Sequence, residues 1–69
     1  MRIITEEDAV SLKGFVIACC EKLHNKSQAE KIAKREAPKW RGTPLLCEYD
    51  EHSHSGRSVK RYLPLVQYD

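Results

Sequence analysis

One stretch constrains this chain more than any other, the run from Ser27 to Ala37. Ser27 and Glu30 form the S-x-x-E pattern of a capping box, which predicts a helix starting there. Ala29, Ile32 and Ala33 then fall on one helical face, and Lys31, Lys34 and Arg35 fall on the other. Pro38 is expected to end the helix, because the residue before a proline avoids helical angles. The apolar face is narrow and built mainly of small side chains, so the helix must lie close against a sheet or a second helix. With 69 residues in all, the chain is one small domain with a thin stability margin.

The second half supplies such a sheet. Leu45, Cys47 and Tyr49 alternate with Leu46, Glu48 and Asp50, and Val59, Arg61 and Leu63 alternate with Ser58, Lys60 and Tyr62. This is the period of two expected of a hairpin, with the polar stretch 51–57 and its Gly56 as the turn. Pro44 is expected to start the first strand. Pro64 would cost an interior strand a hydrogen bond, so the last strand is expected at an edge or broken there. Trp40, the largest apolar side chain, is expected to roof the core.

Residues 1–26 allow two readings. In one, Thr5 caps a helix over 6–23, acids fill its first turn, and Ala9, Leu12, Val16, Cys19 and Leu23 make its stripe. In the other, strands lie near 2–7 and 14–22, since Gly14 followed by Phe15-Val16-Ile17 is poor helix material and good strand material. The preferred fold is therefore α+β, a single ββαββ domain over 1–69 with an antiparallel sheet packed by one helix. The alternative is ααββ with a helical hairpin at the N-terminus.

Charged residues make up 32% and hydrophobic residues 41% of the chain, a balance that argues against disorder. No apolar run approaches a membrane span, and acids stand where a signal peptide would be greasy. Three cysteines, two of them adjacent, cannot all pair, which fits a reducing compartment. The chain thus reads as a complete cytoplasmic protein. Size excludes a multi-step enzyme with its own cofactor fold and makes a binding module the default. The small net charge of +2 hides an uneven layout: residues 26–44 hold six basic and two acidic side chains.

Cys19, Cys20, His24, Cys47, His52 and His54 are the candidate metal ligands. They lack a C-x-x-C pair, and Cys19 and Cys20 point to opposite faces of a strand. They read as buried thiols and solvated histidines, so no metal or cofactor is expected. Cys47 with His52 or His54 is the one conceivable nucleophile–base couple; a core-facing strand cysteine is the plainer reading, and no catalytic residue is expected. The carboxylates at Glu6, Glu7 and Asp8 and at Asp50 and Glu51 read as solvated ends of elements.

The basic segment carries the functional expectation. Lys31, Lys34 and Arg35 share a face, Lys39 and Arg41 continue it past Trp40, Gln28 stands at its start, and Arg57, Lys60 and Arg61 on the hairpin stand ready to join it. Such a patch suits phosphates or an acidic partner protein, and an ordinary solvated face is its plain alternative. Tyr49, Tyr62 and Tyr68 could add a stacking surface for single strands, though packing is the safer role for each.

The stretch Ser27-Gln28-Ala29-Glu30-Lys31-Ile32-Ala33-Lys34-Arg35-Glu36, followed by Arg41-Gly42-Thr43 and a hairpin, resembles a group of small phage- or mobile-element-encoded anti-CRISPR proteins that inhibit type I surveillance complexes. That group has strands before a single S-x-A-x-x-I-A helix, a G-T step and a closing hairpin. The likeness covers residues 15–66. The chain departs from it in a longer segment between strand and helix and in the tail containing Pro64. The resemblance implies a stoichiometric inhibitor that sits on the Cas subunits of the complex and stops target DNA recognition, as competitor or mimic of nucleic acid. It places partner contacts at Gln28, Lys31, Lys34 and Arg35, with Arg61 a looser match; Lys39 and Arg41 extend the same patch. The alternative function is a small phage-type DNA- or RNA-binding regulator using the basic helix face. Exposed strand edges leave dimerisation open.

Overall fold

Strong alternation in the second half and a short apolar stripe in the middle give a sheet with one long helix laid on it. In the computed structural model, which describes residues 1–68, the chain runs β1 (Arg2–Thr5), α1 (Glu6–Val10), β2 (Phe15–Ala18), α2 (Lys26–Trp40), β3 (Thr43–His52) and β4 (Ser58–Tyr68). The protein is a small α+β domain with a four-stranded sheet ordered β1-β3-β4-β2. The ββαββ order of the preferred reading holds, with α1 inserted after the first strand.

The sheet is mixed, not antiparallel throughout. β3 pairs antiparallel with β4, and so does β2, but β1 lies parallel to β3, with Ile3 beside Leu46 and Ile4 beside Cys47. The reason is the crossover. β1 and β2 take opposite edges, and α2 brings the chain back over one face to set β3 beside β1, the connection a parallel pair requires. Alternation shows which residues share a face; it does not show which strand is the neighbour.

Leu45, Leu46 and Cys47 are all buried because both faces of the sheet are covered. On one face Ala29 and Ala33 of α2 pack on Leu46, with Tyr62 at the margin. On the other, Ile4, Leu45, Cys47 and Leu65 form a second cluster under Ala9 of α1 and Leu12. Gln67 Nε2 donates to the Lys13 carbonyl at 2.8 Å and ties the segment after α1 to that face.

Each reading of residues 1–26 was half right. Thr5 does cap a helix, accepting from the Asp8 amide at 3.2 Å while Asp8 accepts from the Thr5 amide. That helix stops at Val10, and Phe15–Ala18 is a strand. α2 begins earlier than its S-x-x-E pattern predicts. Asn25 is the cap, its side chain accepting from the Gln28 amide at 2.8 Å. His24 exchanges two backbone hydrogen bonds with Tyr62, so the chain leaves the sheet there and must turn into the helix at once.

Three expectations about single residues are corrected. Pro38 lies inside the last turn of α2 and does not end it. Its missing amide frees only the Lys34 carbonyl, on an exposed side where water can replace it. The helix closes just beyond, with Arg41 N–H donating to the Pro38 carbonyl and Gly42 N–H to the Ala37 carbonyl, the two bonds of a Schellman cap. Pro64 lies in an interior strand. Its carbonyl accepts from the Cys19 amide, so its absent N–H faces the β2 side, where pairing stops and the chain bulges out over 20–23. Trp40 does not roof the core: it stands at the end of α2 and is 46% exposed.

Candidate functional site

Six of the seven expected contact residues come together along α2. Gln28, Lys31, Arg35 and Lys39 follow one another at spacings of three and four, which stacks them into one outward ridge. Lys34 lies on the flank of that ridge and Arg41 just past its end. All six are exposed, and the line from Gln28 to Arg41 spans about 20 Å at the rise of an α-helix. Glu36 engages two of the cations, Arg35 Nε at 3.4 Å and Lys39 Nζ at 3.3 Å. Such exposed pairs are worth about 0–1 kcal/mol and do not withhold the charges from a partner. Among the described residues, Lys31 and Lys34 have no acidic partner.

Arg61 is the exception. Its place in β4 puts it with Leu63 and Leu65, on the face away from α2, where its Nε lies 3.2 Å from Glu51 Oε2. Strand parity carries that signal once the face under α2 is known. Lys60 is also occupied, bridging Glu48 at 2.9 Å and Asp50 at 3.0 Å, and these two carboxylates hold its ammonium charged well above the usual range. The hairpin acids are thus largely neutralised within the hairpin. The acids of α1 lie on the far side of the sheet from the ridge.

Arg41 is the only non-glycine residue among those described with a left-handed backbone, at φ 52°. Glycine is the usual residue there. Arg41→Gly is expected to raise stability by about 0.5 kcal/mol, since relieving the left-handed strain outweighs the added freedom of the unfolded chain. A denaturant melt checks this, and a clear loss of stability would show that the arginine side chain braces the cap.

The thiols and imidazoles are divided between the segment 19–24, the sheet core and the hairpin tip. Cys20 Sγ lies 3.3 Å from His24 Nε2 and donates to the Lys22 carbonyl. Cys19 is half-buried beside them, its thiol pushed up by burial and then by Glu36. Cys47 is buried in the cluster under α1, and burial pushes its thiol up as well. His52 and His54 stand exposed at the hairpin tip, strand-lengths from Cys47, so the nucleophile–base couple is not assembled. Among the described residues no three metal-ligating side chains converge, no cavity is enclosed, and no helix is long and apolar enough to cross a membrane.

One feature was missed in the sequence. Phe15 stacks on Tyr68 with ring centroids 5.6 Å apart, and Trp40 meets Tyr68 at 5.5 Å. The three rings gather into a short column at one end of the sheet, the Phe15 pair stacked and the Trp40 pair tilted by 31°, with Phe15 63% and Trp40 46% exposed. Of the three tyrosines weighed as a stacking surface, with packing as the plainer role of each, Tyr68 alone joins the rings. Tyr49 and Tyr62 pack at the margins of the two opposite cores. No known family, curated protein or solved structure matches this chain.

Proposed function

We propose that this protein is a cytoplasmic binding module that inhibits a nucleic-acid-handling complex stoichiometrically, by covering it. The observation that carries this reading is the cationic ridge of α2, where Lys31 and Lys34 are exposed and have no acidic partner among the described residues. A module of this size can offer roughly 800 Å², one partner's share of a standard interface, and needs no chemistry to act. The sign of the ridge selects competition over mimicry. A mimic of nucleic acid needs an extended acidic face; the acids of the hairpin are bound to Lys60 and Arg61, and those of α1 are confined to one short turn on the far side of the sheet. A positive ridge suits an acidic subunit surface or phosphates already held by the complex, and it speeds encounter.

The segments Ser27–Glu36 and Arg41–Thr43 add a target to this reading, a type I CRISPR surveillance complex, through their resemblance to anti-CRISPR proteins. The test is titration of purified surveillance complex with the protein, followed by measurement of target DNA binding. Block of DNA binding at one or a few copies per complex is expected. Reversing Lys31, Lys34 and Arg35 to glutamate should weaken binding by about 100-fold, since like charges facing each other cost several kcal/mol, with unchanged melting. Unimpaired binding by that variant would reduce the ridge to solvated surface, and no association with the complex would remove the proposed target.

A further inference from the structure

We propose that the Phe15–Tyr68–Trp40 column is a stacking site for single-stranded nucleic acid, with bases extending the column at its two ends. Tyr68 contacts both other rings, Phe15 stacked at 5.6 Å and Trp40 tilted at 5.5 Å, and the exposed surfaces of Phe15 and Trp40 are the ones open to a base. β2 is an edge strand of the sheet, and Phe15 leaves 63% of its surface in water. Trp40 lies past the last alanine that seats α2 on the sheet, which is why so large a ring escapes burial. A column this exposed is not explained by core packing, and aromatic rings take any base because every base has a π-face.

The charges beside the column choose the class of partner. Lys13 precedes Phe15 by two residues, while Lys39 and Arg41 flank Trp40, and all three are exposed. Lys39 and Arg41 therefore set two cations next to Trp40 along the chain, a basic track beside an aromatic platform of the kind single strands use. Glu36, the acid nearest the Trp40 end on α2, is engaged by Arg35 and Lys39. Asp69 follows Tyr68 in the sequence and lies outside the described residues. A duplex keeps its bases stacked on one another and offers these rings only its ends. The rings lie outside the inhibitor reading above and the proposal does not rest on it, while Lys39 and Arg41 belong to both surfaces.

Trp40 is the only tryptophan, so its fluorescence reports stacking directly. Titration with short oligo-dT and oligo-U should quench it saturably, with binding that weakens as salt rises. Phe15→Ala should keep its melting curve and bind about tenfold more weakly, the scale of losing one stacked base. Lys39→Ala with Arg41→Ala should flatten the salt dependence. The Lys31, Lys34 and Arg35 reversal, compared at high salt where distant charges are screened, should still be quenched, which separates this site from the ridge. Absence of quenching would overturn the proposal. So would quenching unaffected by Phe15→Ala, or equal affinity for duplex DNA, which would assign binding to phosphate attraction along α2. Loss of surveillance-complex binding in Phe15→Ala without any oligonucleotide binding would make the column a protein-docking spot instead.

Discussion

Gly42→Ala is expected to cost about 3 kcal/mol, near the upper end of what overpacking a fitted site costs. A Cβ built on Gly42 would stand 2.5 Å from the Gln67 carbonyl oxygen and 2.5 Å from Val66 Cγ1, with the Gln67 carbonyl carbon at 3.2 Å. Two of these three atoms are backbone of β4, an interior strand paired on both sides, so they cannot swing aside as a side-chain tip would. Left-handed geometry plays no part, since that conformation belongs to Arg41 and not to Gly42. The glycine stands where α2 ends because the cap and the first residues of β3 press directly on β4. Its amide also donates to the Ala37 carbonyl at 3.0 Å, so displacing it loosens the cap. For a domain of this length, total stability is on the order of 3–10 kcal/mol, and the substitution removes a large part of it. Urea unfolding followed by circular dichroism measures the loss. A change under about 1 kcal/mol would show that the α2–β3 turn is not seated on β4 as described.

What the sequence carried was local order. The period of Ala29, Ile32 and Ala33 placed the buried face of α2, where Ala37 also lies, and alternation around Leu45–Asp50 and Ser58–Leu63 placed the hairpin with its turn at Gly56. What it could not carry were choices made by distant partners. Parallel pairing of Ile3 beside Leu46 depends on the route of α2 across the sheet. The start of α2 is set by the bridge between His24 and Tyr62, which gives the capping position to Asn25 and not to Ser27. Pro64 looked incompatible with an interior strand only because nothing local reveals that the neighbouring chain bulges away beside it.

The candidate site divides in the same way. Gln28, Lys31, Lys34, Arg35, Lys39 and Arg41 belong to one segment, so helical spacing alone collected them. Arg61 needed knowledge of which sheet face α2 covers. The aromatic column joins residues from β2, β4 and the end of α2 through the pairing of Phe15 with Tyr68, and no local pattern foretells that register. Trp40 was misread for a related reason: size favours burial, but a side chain can be buried only if an element continues beneath it.

That misreading makes Leu46→Ala and Trp40→Ala an informative pair. Leu46→Ala is expected to cost about 4 kcal/mol, toward the upper part of the range for buried leucines. Leu46 has no exposed surface. It lies under Ala29 and Ala33, pairs with Pro64 on one side and stands beside Ile3 on the other. The helix above it contributes only methyl groups at these two positions, and a proline ring is rigid, so little can collapse into the space that truncation leaves. Nearly all the lost contact therefore persists as a cavity. Trp40→Ala removes a larger side chain at smaller cost, about 2 kcal/mol, because 46% of the residue already stands in water and what is lost is partial burial plus an aromatic contact with Tyr68. Urea midpoints for both variants give the comparison. If Trp40→Ala proves the more damaging of the two, α2 is not held by the Leu46 contact and the tryptophan is buried after all, which would also close the stacking site.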